Sequence, residues 1–403
     1  MNQKFSKALL LATVILMDIL VGMEFDLFVP SFPELQSHFQ LSPFWIEATL
    51  SVNFIGFCLS LFLVGQMADR YGRKPVIMLG LTTFVVGSIL CLWAPHFSYL
   101  LAGRFLQGVG IAAPSILSFL LIADTFDLKK QQFYMAMLNG LMNISVATAP
   151  VIGSYTALYF HWQGNFVLLL LGGLVVLAMS LLFIPSHKGS EDKKDIVGYR
   201  GILQTKPLML LIVLFTFMFV PWWIFVGISP LLYMQDLGVS LHHFGYYQGG
   251  LALAFAIGSL LYGFFMNRFD QRKMLSISNS VFIISLLLLA FITATDSSCP
   301  LTITLCFLFF IVGQIVPTII LFPLSLNFLP HSKGRTAALM QGGRLILSSL
   351  SLQLAGFFYT GSFQNLGIFL ILFVILTIAL LHLVLRKLVL TKHLDLTAQE
   401  ALN

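Results

Sequence analysis

Charge is scarce in this chain. Lys, Arg, Asp and Glu make up 9% of its residues and apolar types 58%, a balance that excludes a soluble globular domain. The four cysteines, Cys58, Cys91, Cys299 and Cys306, lack metal-ligand spacing, so they read as reduced packing residues and no metal site is expected. No Gly-x-x-x-x-Gly-Lys-Ser/Thr run occurs, which argues against an ATP-driven pump. The nine His stand in loops or at the ends of apolar runs, with no convergent nucleophile, base or metal set that an enzyme would need. Basic residues are also missing from the polar breaks near 31–43, 94–98, 158–165, 236–243, 295–300 and 361–364. All but two of the 22 Lys and Arg residues lie in the alternate breaks and at the two ends.

What is present is a series of twelve apolar runs, near 8–30, 44–67, 75–94, 97–122, 131–157, 164–185, 208–235, 243–267, 273–294, 301–326, 334–359 and 365–387. Each is long enough to cross a hydrocarbon layer of about 30 Å as a helix. The fold class is therefore an all-α integral membrane protein. Basic residues are retained on the cytoplasmic side, so Lys4, Lys7, Arg386, Lys387 and Lys392 place both termini there. The first run follows two Lys as a signal peptide does. Asp18, Glu24 and Asp26 interrupt it and no small-residue cleavage site follows, so it reads as an uncleaved first span. The net charge of +6 belongs to the cytoplasmic breaks and implies no nucleic-acid partner.

The longest polar stretch between runs, Ser186 to Lys206, divides six spans from six. It sets the expected domains as a six-helix bundle over 1–185, a linker over 186–206, a second bundle over 207–390 and a tail over 391–403. A repeat supports the halves. Gly65-Gln-Met-Ala-Asp69-Arg70-Tyr-Gly72-Arg73-Lys74 follows span 2, and Gly263-Phe-Phe-Met-Asn267-Arg268-Phe-Asp270-Gln-Arg272 follows span 8 in register. Duplicated halves are a feature of secondary transporters.

The first of these loops resembles the signature between helices 2 and 3 of the major facilitator superfamily. Arg104-Phe-Leu-Gln107-Gly108-Val-Gly110 in span 4 is similar to the helix 4 motif of proton-coupled members. Ala149-Pro150-Val-Ile-Gly153-Ser154 in span 5 resembles the drug/proton antiporter motif, departing from it at Ala149 and Ser154. Asp26-Leu-Phe-Val-Pro30 resembles the Asp-x-x-x-Pro of twelve-span antiporters of the Bcr/CflA and MdfA type. The resemblance implies two pseudo-symmetric six-helix bundles, a cavity lined by helices 1, 4, 7 and 10, and a bacterial inner-membrane location. It implies proton and substrate binding at two helix 1 acids eight residues apart, the spacing of Asp18 and Asp26, and a buried helix 4 arginine at Arg104. It also implies a conformational latch at Gly65, Asp69, Arg70, Gly72 and Arg73.

The residues carry a physical reading of their own. An ionisable side chain in hydrocarbon costs at least about 2.5–3.5 kcal/mol, so acids in span 1 should face a polar cavity or a base. Eight residues leave Asp18 and Asp26 about 80° apart on a helix and roughly 12 Å apart along it. Glu24 falls about 160° from Asp26, on nearly the opposite side unless Gly22 breaks the helix. Depth places Asp26 and Arg104 at similar levels, so these two could meet. Asp18 has no basic partner in the sequence and becomes the proton carrier, since burial favours its neutral form. Arg344 in span 11 either snorkels to the interface or presents a fixed positive charge to cargo. Gln107, Asn143, Trp222 and Arg344 complete the cavity candidates. Prolines at 221, 230, 317 and 323 kink spans 7 and 10.

The leading expectation is proton-coupled export of small, mainly apolar organic molecules by alternating access. The bilayer, the cargo and protons are its partners, the proton gradient stands in place of a cofactor, and the carrier is monomeric. Export of one specific metabolite or siderophore-like compound, and uptake by proton symport, stand as alternatives. A channel or receptor has no support from the duplicated loop.

Overall fold

The computed structural model describes residues 3–126, 128–185, 199–265, 270–296, 298–329 and 333–386. The described chain is helical, and its elements follow the apolar runs closely. In order they are α1 (Gln3–Glu24), a 3-10 turn (Val29–Ser31), α2 (Phe32–Phe39), α3 (Pro43–Tyr71), α4 (Arg73–Leu92), α5 (Phe97–Thr125) and α6 (Leu128–Phe183). Next come α7 (Tyr199–Gln204), α8 (Lys206–Pro230), a π-helical turn (Leu231–Asp236), α9 (Leu241–Phe265), α10 (Gln271–Ala294), α11 (Pro300–Phe328), α12 (Lys333–Phe358) and α13 (Phe363–Arg386). Two short helices, α2 and α7, were not expected from hydropathy. Both are too short to cross a bilayer.

Ten segments of the described residues are long and apolar enough to cross a membrane. Two expected crossings are merged in α6, whose 56 residues would run about 84 Å as a straight helix. The chain instead reverses at His161, which takes φ 58° and ψ −176°. Asn165 Nδ2 on the second limb reaches back to the Gly153 carbonyl at 3.3 Å, a contact that a continuous helix forbids at that separation. One further crossing, α12, is absent from the ten because Gln341, Arg344, Ser348, Ser349, Ser351 and Gln353 dilute its apolar character. With the two limbs of α6 and α12 counted, the described residues contain twelve membrane-length helices.

Span 1 departs from expectation. The helix stops at Glu24, six residues before the expected end at Pro30. Pro30 has no N–H to continue the ladder and its ring would clash with the carbonyl four residues back, that of Asp26, so residues 25–28 form turns and bends and Pro30 enters the 3-10 turn.

The helices group into two compact units. Unit 1 comprises Met1–Asp192 with Ser240–Gly249, and unit 2 comprises Lys193–Val239 with Gly250–Asn403. Within unit 1, α1 packs on α5 and α6, α4 on α5 and α6, and α3 on α5. Within unit 2, α8 packs on α11, α12 and α13, and α10 on α11 and α13. The first and third helices of each half thus choose equivalent partners, which is how a repeated sequence pattern expresses itself as repeated packing.

Candidate functional site

The site in unit 1 is built where α1 ends. Because α1 stops at Glu24, that residue is fixed on the last turn of a helix while Asp26 lies on the turn beyond it. Helical angles therefore hold for Asp18 and Glu24 and fail for Asp26. This overturns the Asp26–Arg104 pair that depth allowed. Arg104 on α5 bonds Glu24 instead, Nη1 to Oε1 at 2.7 Å, with both side chains fully buried.

A hydrogen-bond cluster surrounds that ion pair. Asn53 of α3 donates its Nδ2 to Glu24 Oε1 at 2.8 Å and to the Arg104 carbonyl at 2.9 Å. Arg104 Nη1 also donates to Gln107 Oε1 at 2.7 Å, and Gln107 Nε2 donates to Ser88 Oγ of α4 at 2.8 Å. The guanidinium carbon stands 4.1 Å from the centre of the Phe28 ring, in cation–π contact with a face cleared of water. α3 approaches closely enough for this because a side chain at Gly108 of α5 would collide with the Asn53 carbonyl. Buried charge is tolerated only where such partners compensate it.

Asp18 and Asp26 lack that compensation. Asp18 accepts one hydrogen bond from Ser118 Oγ of α5 at 2.9 Å, and its Oδ2 has no partner among the described residues. Asp26 is buried, and its Oδ1 has none either. Asp18 and Glu24, six residues apart, are separated by about 9 Å along α1.

Backbone packing fixes the turn that carries Asp26. A Cβ on Gly153 of α6 would run into the Leu27 carbonyl oxygen, so only glycine lets α6 pass beside the residue that follows Asp26. Pro150 is buried one turn earlier. Asn165 Nδ2 ties the second limb of α6 to Ser31 Oγ at 2.8 Å. The antiporter-like segment thus serves as a wall against the broken end of α1.

The other candidates are scattered. Asn143 on α6 and Trp222 on α8 are half-buried. Arg344 of α12 is also half-buried, and its guanidinium stands 4.5 Å over the Phe219 ring of α8 within unit 2. In the loop after α3, Gly72 adopts φ 90°, the left-handed side that glycine tolerates. At Gly65 nothing among the described residues stands within 4 Å of where a Cβ would be. Arg70 is exposed and lies over the Tyr71 ring at 5.3 Å. Arg73 pairs with Asp124 at the end of α5, 3.3 Å from Nε to Oδ2. The Asp69 side chain and residues 266–269 of the second loop lie outside the described residues, as do 186–198 of the linker and the 391–403 tail. Asp270 is described, and it caps α10 by accepting from the Lys273 amide at 2.9 Å.

Sequence reasoning missed Asn53, Ser88, Ser118 and Glu47. The first three are neutral residues whose importance lies in which charged group they meet, and one sequence does not show that meeting. Glu47 was visible as an acid inside span 2. It escaped notice because attention to acids stopped at span 1.

A family model described as Major Facilitator Superfamily matches residues 14–222 and 211–401. Multidrug resistance protein MdtL of Klebsiella pneumoniae (strain 342) is 27% identical over 281 residues, covering 66% of this chain and 69% of that protein. The protein of the same name from Escherichia fergusonii is 30% identical over 217 residues, covering 53% of this chain and 55% of its own length. The matched stretches therefore span from about half to about two thirds of these relatives. Among solved structures, a bacterial homolog of the human lysosomal transporter Spinster, in an inward-facing and occupied conformation, superposes with a TM-score of 0.75 at 16% identity, covering 94% of this chain and 96% of that one. A D-xylose-proton symporter gives 0.74 at 12% identity, with 93% and 97% covered. At such identities the likeness is one of fold.

Proposed function

This chain belongs to the major facilitator superfamily, and from that premise we propose that it exports small, mainly apolar organic molecules in exchange for protons. It is a multi-pass membrane carrier and not an enzyme. In our reading it works by alternating access in a bacterial inner membrane, as a monomer with cytoplasmic termini, driven by the proton gradient alone. The multidrug resistance names of its relatives support the efflux direction. The observation that carries the coupling is the contrast inside unit 1. Glu24 is neutralised by Arg104, whereas Asp18 and Asp26 are buried with no cation bonded to them among the described residues. A carboxyl in such surroundings is stable when it holds a proton, and cargo or water reaching it changes that balance. Asp18 and Asp26 are thus the groups that exchange protons, Arg104 with Glu24 is the scaffold that orients the end of α1, and the loop from Asp69 to Arg73 is the latch.

The test is proton release from purified protein in detergent on adding a panel of cargoes. Wild type is expected to release protons, and Asp18→Asn and Asp26→Asn to lose that release while still binding cargo. Cargo binding, measured separately, without release in wild type would refute exchange at these carboxyls and favour symport or uncoupled transport.

Arg344 favours a second reading, export of a specific anionic or zwitterionic compound. A guanidinium half-buried over Phe219 is a fixed positive charge on a helix of unit 2. On this reading Arg344→Gln weakens binding of acidic members of the panel by at least about tenfold, the loss of one charge-assisted contact, and leaves neutral members unchanged. Acidic members binding the variant as tightly as they bind wild type would remove the reading.

A further inference from the structure

Glu47 belongs to none of the clusters described above. It lies in the second turn of α3, its side chain is fully buried, and neither carboxyl oxygen has a hydrogen-bond partner among the described residues. Beside it on the helix Ile46, Leu50 and Phe54 are wholly inaccessible, and Ser51 one turn on is buried as well. Phe54, seven residues on, shares its face of α3. The Phe54 ring meets the Phe25 ring edge-on at 5.3 Å, so this face of α3 looks at the broken end of α1 between Glu24 and Asp26. Glu47 stands about 10 Å along α3 from that contact, toward Pro43.

We infer that Glu47 is a further proton-carrying carboxyl of this protein, resting as the neutral acid and following Asp18 and Asp26 toward the Pro43 end of unit 1. The argument is one of elimination. A bare carboxylate in a dry apolar site must find a cation, collect donors or hold a proton. Among the described residues no donor and no cation bonds either oxygen. The described titratable and charged groups on the neighbouring elements are Lys7, Asp18 and Glu24 on α1 with Asp26 just beyond it, Glu34 and His38 on α2, Arg73, Lys74 and Cys91 on α4, and Tyr99, Arg104 and Asp124 on α5, with His96 just before it. None of them bonds either Glu47 oxygen. Arg104 places its Nη1 on Glu24 and Gln107, and none of its nitrogens bonds Glu47. The remaining possibility is the proton. Its place on the face of α3 that reaches Phe25 makes this proton part of the same series as the α1 carboxyls.

The transport consequence rests on the proton-exchange reading above, whereas the protonation itself does not, and the experiment separates them. Infrared difference spectra of the full-length protein, wild type minus Glu47→Gln at neutral pH, should show the carbonyl stretch of a carboxylic acid, shifted in deuterium oxide. A carboxylate stretch in its place would overturn the inference. Glu47→Gln imitates the neutral acid, so it should keep the wild-type melting temperature and cargo affinity, and a misfolded variant would equally overturn it. In proteoliposomes the same variant should lose at least part of the pH dependence of transport, and a profile identical to wild type would reduce Glu47 to a structural acid and overturn its carrier role. If the acid band is seen while Asp18→Asn and Asp26→Asn leave proton release intact, the function proposed for α1 fails and the protonation of Glu47 stands.

Discussion

Arg104→Ala is expected to destabilise unit 1 by about 3–5 kcal/mol, the usual cost of removing one partner from a buried ion pair. Deletion leaves the Glu24 carboxylate dry with only Asn53 donating to it, strips Gln107 Oε1 of its guanidinium donor, and leaves a cavity against Phe28. The measurement is thermal unfolding in detergent. Its sharper form is a rescue. Adding Glu24→Gln to Arg104→Ala removes the stranded charge and should recover part of the loss, because buried pairs replaced together cost far less than pairs broken singly. Adding Asp26→Asn should recover little. Rescue by Asp26→Asn in place of Glu24→Gln would mean that Asp26 is the true partner and that the ion pair found at the end of α1 is wrong.

Gly153→Ala should abolish transport, or reduce it more than tenfold, with a stability loss of about 1–3 kcal/mol from overpacking. The methyl group would meet the carbonyl of Leu27, which is backbone and cannot rotate aside. Retreat of α6 is opposed by Asn165, which holds both the Gly153 carbonyl and Ser31. The strain therefore falls on the turn that carries Asp26. Transport and cargo-linked proton release should fall together while the protein still inserts. Gly140→Ala on the same helix is the control, since nothing stands within 4 Å of the added atom. Equal activity of the two variants would show that the turn tolerates the displacement.

Much of this architecture was legible because hydrocarbon imposes one demand on every residue of a span. Length and polarity alone located the limbs of α6 on either side of His161, and they found α12 despite its polar face. Chemistry at the site was less legible. Extending a helix angle through Phe25 to Asp26 placed Asp26 on the wrong bearing, although Pro30 was in view and carries the reason α1 stops early. The choice between Glu24 and Asp26 as partner to Arg104 turned on two residues of helix. Ser118 and Asn53 were beyond reach for a different reason, since a hydroxyl or amide in an apolar span declares nothing until its neighbour is known.

The reversal at His161 has a bearing on how this protein can be handled. A single residue with positive φ joins the two limbs of α6, so there is no slack between them. An extra residue spliced in beside it would act as a gear tooth: about 100° of rotation per residue would swing Asn165 away from Gly153 and Ser31. Affinity tags and sidedness reporters therefore belong in another polar break, and length at this corner is as constrained as identity is at the centre of a span.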